Sequence, residues 1–194
     1  MMRQAVLIFS VRSRHKKAIV ITEFMKKHHV RNVIFVGLGD VSGRNNRIVE
    51  NAIASQVQVL AACDMMTVKH PWPYVIADGT ALPFISSCTD AVVSNAVIEH
   101  VGGVEKQKKF VEEHLRVGSS WVITTPNRWF PVESHTSVVF RHWSPRWRNN
   151  REEFTRLLSL KEFRSLLPIG TKIFGKPWSA TFTAMYAPAL LHDS

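Results

Sequence analysis

Five short apolar runs limit most strongly what this chain can fold into: Val33–Val36, Val57–Ala62, Tyr74–Ala77, Ala91–Val93 and Trp121–Thr125. Each is halted by a glycine, an acid, a polar pair or a proline: Gly37, Asp64, Asp78, Ser94-Asn95 and Pro126 in turn. They are rich in β-branched residues, as expected of strands buried on both faces of a parallel sheet. Helical patterns lie between or beside them. His15–His29 carries Ala18, Ile19, Ile21, Phe24 and Met25 at roughly helical spacing, Asn46–Ala54 is a short helix, and Val104–Val117 is a charged amphipathic one. Strand and helix in alternation predict an α/β fold, a parallel sheet covered by helices. After Pro131 the pattern changes. Residues 131–150 mix aromatic and basic side chains and read as a lid or acceptor-side insertion. Ser159–Leu167 reads as a helix with Ser159 as its N-cap. Thr171–Phe174 and Ala180–Tyr186, flanking Gly175 and Pro177, read as an antiparallel pair at the sheet edge. No domain boundary is visible, so residues 1–194 read as one domain with a core at about 31–130.

Bulk properties narrow the class. A chain of 194 residues can bury a sizeable core. No apolar run approaches the roughly 20 residues that cross a bilayer. Met1–Arg12 has a short apolar centre without a small-residue cleavage site, and reads as a first strand or helix rather than a leader. Two cysteines, Cys63 and Cys88, are too few for a disulfide framework, and no Cys/His spacing matches a zinc site. A reducing cytoplasm is the simplest compartment. The net charge of +10 favours encounter with anions. The basic residues form three separate clusters, Arg12–Lys17, Lys106–Lys109 and Arg141–Arg151, which reads mainly as solvated faces. The third interleaves with Trp143 and Trp147, a mixture suited either to stacking on single-stranded nucleic acid or to a lid over a pocket.

The residues with chemistry to offer stand at the ends of the predicted strands, where open α/β sheets bind ligands. Gly37 and Gly39 let the backbone turn sharply and approach a ligand closely. Asp64 follows Gly39 by 25 residues at the end of the next strand, where a carboxylate can accept from both hydroxyls of a ribose. Asp78 ends the third strand and has two readings: an acceptor for an exocyclic amine such as that of adenine, or the first residue of an Asp78-Gly79 turn. Leu82-Pro83-Phe84 would pack beneath that loop, with apolar groups walling a base. The run from Asp90 to Val101 opens with an acid and brings Asn95, Glu99 and His100 to the end of the fourth strand. Asn127 and Arg128 leave the fifth strand at the same edge.

Three segments carry a resemblance: Ala77–Phe84, Asp90–Val101 and Val122–Asn127. Over about residues 31–130 the chain resembles the class I S-adenosylmethionine-dependent methyltransferases, nearest the subgroup with the type 11 methyltransferase domain. The resemblance implies a Rossmann-like three-layer sandwich with a mostly parallel seven-stranded sheet and a C-terminal antiparallel hairpin. It implies S-adenosyl-L-methionine as cofactor and methyl transfer to a small-molecule or lipid-like acceptor. By position, Gly37, Gly39, Asp64, Asp78, Gly79 and Asn95 fall at its cofactor-binding places. The chain also departs from the pattern. The acid two residues before the first glycine is replaced by Phe35, and the third glycine by Val41, with Gly43 two residues later. The segment from Asp64 to Tyr74, broken by Pro71 and Pro73, is too short for the usual full helix.

Methyl transfer from a sulfonium is an in-line displacement that asks mainly for alignment and exclusion of water. A base is needed only when the acceptor must lose a proton. His100 is the candidate for that role, with a structural histidine as the alternative reading. Glu99 would orient it or cap the following turn; Asn127, Arg128 and His135 join Glu99 on the acceptor side. Two other classes of function stay open. Phe35 and Val41 motivate a degenerate binding module that assists a partner protein, and the charge motivates an RNA methyltransferase. No RNA-binding appendage accompanies that charge, which reads against nucleic acid as the main partner. The sequence fixes neither the acceptor nor the oligomeric state.

Overall fold

The computed structural model describes residues 2–39, 47–67, 71–132, 140, 143–144 and 155–188, with residues 2–9 described in their backbone only. The elements, in chain order, are α1 (Met2–Lys27), β1 (Asn32–Val36), α2 (Ile48–Ala54), β2 (Gln58–Asp64), β3 (Tyr74–Ile76), β4 (Thr89–Asn95), α3 (Val104–Val117), β5 (Gly118–Pro126), α4 (Leu160–Leu166), β6 (Lys172–Phe174) and β7 (Thr181–Tyr186). All five predicted parallel strands are present. The first helix is longer than the periodicity suggested: Met2–Arg12, read as a first strand or helix, is continuous with it. It ends where His29 takes a left-handed φ of 52°, with Val30 N–H donating to Met25 O and His29 N–H to Lys26 O. That paired closure is a common helix stop. α4 begins on Ser159, whose hydroxyl accepts from Glu162 N–H while the Glu162 carboxylate accepts from Ser159 N–H. Both ends of a capping box are made.

The seven strands form one sheet in the order β3-β2-β1-β4-β5-β7-β6. The first five are parallel, and β7 runs antiparallel to both β5 and β6. Alternation along each strand divides the core in two. Val33, Phe35, Val93 and Val122 meet α1 and α2 through Ile21, Met25 and Ile53. Ile34, Val92, Trp121 and Ile123 meet Phe110, Val111 and Phe163 of α3 and α4. Each fully buried aromatic or aliphatic side chain in these layers contributes ~1.5–3 kcal/mol.

Register is set at the strands' starting ends. The Asp90 carboxylate accepts from Arg31 N–H at 2.8 Å and Asn32 N–H at 3.2 Å, while Asn32 Oδ1 accepts from Asp90 N–H at 3.0 Å. The acid that opens the fourth strand is thus a clamp at the far end from the ligand edge. The β3–β4 connection holds no helix, and an internal brace holds it against α3 instead. Glu113 accepts from Leu82 N–H at 2.7 Å; Arg116 binds Glu113 with two nitrogens and donates to Leu82 O at 2.9 Å and Phe84 O at 2.7 Å. The Arg116 side chain also draws the Glu113 carboxyl below its ordinary range.

Among the described residues no helix is long and apolar enough to cross a membrane. Most of 131–150, the predicted lid, lies outside the described residues.

Candidate active site

The strand order reverses beside β1, which leads to β2 on one side and β4 on the other. In such sheets a crevice opens at the carboxyl ends of the strands there. Val36 pairs with Cys63 and with Ser94, so Gly37, Asp64 and Asn95 leave three neighbouring strands side by side. Asp64 pairs with Ile76, placing Asp78 just past the next strand.

Gly37 has a φ of +74°, and a Cβ there would come within 2.4 Å of the Val97 side chain. Glycine is required there for conformation and space alike. Gly39, at φ +61°, has none of the described residues within 4 Å of where a Cβ would stand, so they leave its backbone approachable. Its N–H donates to Asp64 Oδ2 at 3.0 Å. That bond fixes the carboxylate over the glycine turn and leaves Oδ1 with no partner among the described residues. A fixed carboxylate with a free oxygen beside an open glycine backbone suits a ribose diol. Phe35, where the resembling family has an acid, is buried between sheet and helices and packs on Trp72 with ring centroids 5.0 Å apart. Val41 and Gly43 lie outside the described residues.

Asp78 adopts the turn geometry: its Oδ1 accepts from Thr80 N–H and Thr80 Oγ1, both at 2.8 Å. It shapes the loop at the end of β3, and Oδ2 stays without a partner among the described residues. Gly79 is there for packing, since a Cβ would lie 2.6 Å from the Phe110 ring.

At the end of β4, Asn95 lies in a polar cluster on the α1/α2 face. Its Oδ1 accepts from Lys17 Nζ at 2.9 Å and Thr124 Oγ1 at 2.7 Å, and its Nδ2 donates to Glu50 Oε1 at 3.0 Å. Lys17 is half-buried and its pKa is lowered to about 8, chiefly by loss of water, against the attraction of Glu50 and Glu99. Burial likewise raises the Glu50 carboxyl. The sequence reading missed Lys17, Glu50 and Thr124. A signal existed: Lys17 stands four residues before Ile21 on the buried stripe of α1, and Glu50 sits between buried Val49 and Ile53 on α2.

The acceptor-side expectations divide. Glu99 is fully buried; its carboxylate accepts from Thr125 Oγ1 at 3.1 Å and lies 4.0 Å from His100 Nε2. It braces β5 and stands behind His100, whose side chain reaches solvent in part. Asn127 is held by structural contacts. Its Nδ2 donates to Pro177 O and Ser179 O, its N–H donates to Ala180 O, and its Oδ1 accepts from Trp129 N–H. With its polar atoms engaged and its surface buried, it pins the chain leaving β5 to the approach of β7. Arg128 donates to Leu157 O at 3.0 Å and pairs with Glu162 at 3.0 Å, tying the same exit to α4. Beside it, Trp129, Phe140 and Trp143 form an exposed aromatic group, with the Trp143 indole N–H on Arg128 O. His135 lies outside the described residues.

Residues 40–120 match the model of a methyltransferase domain family. The match spans 81 of the 194 residues, so it is a likeness of the central part of the chain. Its fold agrees with solved structures at low sequence identity. The PH0226 protein from Pyrococcus horikoshii matches with a TM-score of 0.61 at 14% identity, over 91% of this chain and 90% of that one. An S-adenosylmethionine-dependent methyltransferase from Clostridium acetobutylicum matches with a TM-score of 0.57 at 9% identity, over 87% and 89%. The S-adenosylmethionine-dependent methyltransferase SibL matches with a TM-score of 0.53 at 13% identity; the match covers 80% of this chain but only 50% of SibL. Among curated proteins none matches the sequence. The chain therefore has the Rossmann-like sandwich and closing antiparallel hairpin that the sequence predicts.

Proposed function

We propose that the protein is an S-adenosylmethionine-dependent methyltransferase acting on a small-molecule or lipid-like acceptor in the cytoplasm. The observation that carries this reading is the hydrogen bond from Gly39 N–H to Asp64, which presets a ribose-sized acceptor over an approachable glycine turn. Strands β3, β2, β1 and β4 are successive neighbours, and their ends span three gaps, ~14 Å at the usual spacing. That is the reach of an extended nucleoside carrying an amino acid. The adenine then lies at the Asp78–Leu82 loop, the ribose on Asp64, the thioether link over Gly37–Gly39 and the amino-acid end toward Asn95.

The bound cofactor supplies a methyl group on a sulfonium. The chain's residues do the rest by holding and aligning. Trp129, Phe140 and Trp143 offer an apolar face to an acceptor beyond the end of β5. His100, backed by the Glu99 carboxylate, takes the acceptor's proton where the chemistry demands it. The free cysteines accord with a reducing compartment: Cys63 is buried and its thiol is pushed up to about 12.

Calorimetric titration with S-adenosylhomocysteine tests the reading. Wild type binds, and Asp64→Ala weakens binding by ~1–3 kcal/mol, the cost of leaving ligand hydroxyls unpaired. No heat from folded wild type at millimolar ligand rejects the enzyme and favours a module without cofactor.

A further inference from the structure

Helix α1 is longer than the sheet it covers. Among the described residues, the core on its face takes only Ala18, Val20, Ile21, Phe24 and Met25 from it. Met25 lies at the helix stop, where its carbonyl accepts Val30 N–H just before β1 starts. Lys17 Nζ donates to Asn95 Oδ1 at 2.9 Å and to Thr124 Oγ1 at 3.3 Å, so position 17 is level with the opposite, carboxyl ends of β4 and β5. Residues 2–16 are helical as well, and carry α1 ~22 Å past that level at 1.5 Å per residue. The projection is at the edge where open α/β sheets bind their ligands.

The sequence of this projecting part suits neither water nor a single packed face. Ala5-Val6-Leu7-Ile8-Phe9 are apolar in succession, and at ~100° per residue they go more than once round the helix. A helix apolar on all sides calls for apolar surroundings on all sides. The run is far shorter than the roughly 20 residues that span a bilayer. Its flanks are basic: Arg3 precedes it, Arg12, Arg14, Lys16 and Lys17 follow, and no acid occurs before Glu23. Arg12 and Lys16 are exposed. Arg3 adds positive charge at the helix end whose dipole is already positive, a repulsion that an outside anion relieves. At the same edge of the sheet, beyond the end of β5, stand the exposed Trp129, Phe140 and Trp143. Indole rings favour the headgroup level of a bilayer.

We propose that the projecting end of α1 lies in the surface of an anionic phospholipid bilayer, with the Ala5–Phe9 run at the acyl boundary and its basic flanks at the lipid phosphates. Short apolar helices with Lys and Arg beside them bind in this way, on the membrane rather than across it. Each basic side chain near an anionic leaflet adds to the affinity. The net charge of +10 draws the whole molecule to the same surface. RNA offers phosphates but no apolar medium for a run such as Leu7-Ile8-Phe9, so charge and apolarity together favour lipid. Docking needs no cofactor and goes beyond the methyltransferase reading. Its consequence for the substrate rests on that reading: the strand ends face the bilayer, and the acceptor is a membrane lipid.

Co-sedimentation of the full chain with vesicles, without cofactor, tests the docking. The vesicles are phosphatidylglycerol in phosphatidylcholine, or phosphatidylcholine alone. Wild type is compared with Leu7→Gln/Phe9→Gln and with Arg12→Gln/Lys16→Gln, each first followed through a thermal melt. Wild type is expected to bind the anionic vesicles at least ~10-fold more tightly than the neutral ones. Each double variant melts as wild type does and loses ~10-fold or more of the affinity for anionic vesicles. Equal binding by wild type and Leu7→Gln/Phe9→Gln reduces the effect to net charge and overturns the proposal. A Leu7→Gln/Phe9→Gln protein that fails to fold overturns it too, because the run then packs within the molecule. So does wild type that binds neither vesicle. In that case a tRNA pool bound by wild type and released by Arg12→Gln/Lys16→Gln assigns the helix to nucleic acid, and a wild-type dimer made monomeric by Leu7→Gln/Phe9→Gln assigns it to a second copy. None of these outcomes bears on the calorimetric test of the cofactor, so the two readings fail separately.

Discussion

Replacing Glu113 by alanine removes the brace under the Asp78 loop. The carboxylate is almost fully buried and accepts three hydrogen bonds: Leu82 N–H at 2.7 Å, Arg116 Nη2 at 2.7 Å and Arg116 Nε at 2.8 Å. Losing it strands a buried backbone N–H, a cost of ~1–3 kcal/mol. The Arg116 side chain is 34% exposed, so water re-solvates much of the freed charge and that part of the loss stays near ~1 kcal/mol. The expected destabilisation is ~2–4 kcal/mol by urea unfolding at neutral pH. A cycle with Arg116→Met should show a coupling of ~1–2 kcal/mol, since the two side chains share both contacts and loop. The effect has a pH signature. Arg116 holds the Glu113 carboxyl below its ordinary value. Its contribution is therefore complete above the unfolded carboxyl value of about 4.3 and is lost as pH falls through the lower folded value. The same substitution loosens the loop carrying Asp78, and S-adenosylhomocysteine affinity should fall ~10-fold. A change in stability below ~0.5 kcal/mol, the range of ordinary surface substitutions, would refute the brace.

Other consequences follow from the same packing. Gly37→Ala forces a side chain onto a left-handed backbone and into Val97, and should cost ~2–4 kcal/mol by thermal or urea unfolding; adding Val97→Ala relieves the clash but not the backbone strain, so recovery is partial. His114 is fully buried, and desolvation lowers its pKa to about 4 despite the bond from Nδ1–H to Phe110 O. The unfolded chain then takes up a proton first, and stability falls by ~3 kcal/mol as pH drops from about 6.5 toward 4. His114→Gln should flatten that slope in urea titrations across the window. Asn127→Ala should lower stability by ~2 kcal/mol, since it frees Pro177 O, Ser179 O and Trp129 N–H together; an intact melting temperature would refute its bracing role.

What could be read from the sequence was what local patterning dictates. Both-face burial leaves β-branched runs, so β1, β2, β4 and β5 were legible to within a few residues, and Ser159 announced α4 through its capping chemistry. Residues 2–12 were ambiguous because a short apolar stretch is compatible with strand or helix; only continuity with the amphipathic turns beyond it decides. Side-chain partners across the fold were less accessible. Asn127 and Glu99 have the residue types of a site and the strand-end positions of one, yet they bind backbone and a buried threonine that no spacing rule brings together. Lys17 and Asn95 are separated by 78 positions along the chain. Their meeting depends on how α1 crosses the sheet, and that is set by packing rather than by motif.

The most direct trial of the account is a crystal structure grown with S-adenosylhomocysteine. It should show the ribose hydroxyls within hydrogen-bond reach of Asp64, the base against the Asp78–Leu82 loop, and the amino-acid end beside Asn95. A ligand bound elsewhere, or bound there with Asp64 turned away from its sugar, would contradict it.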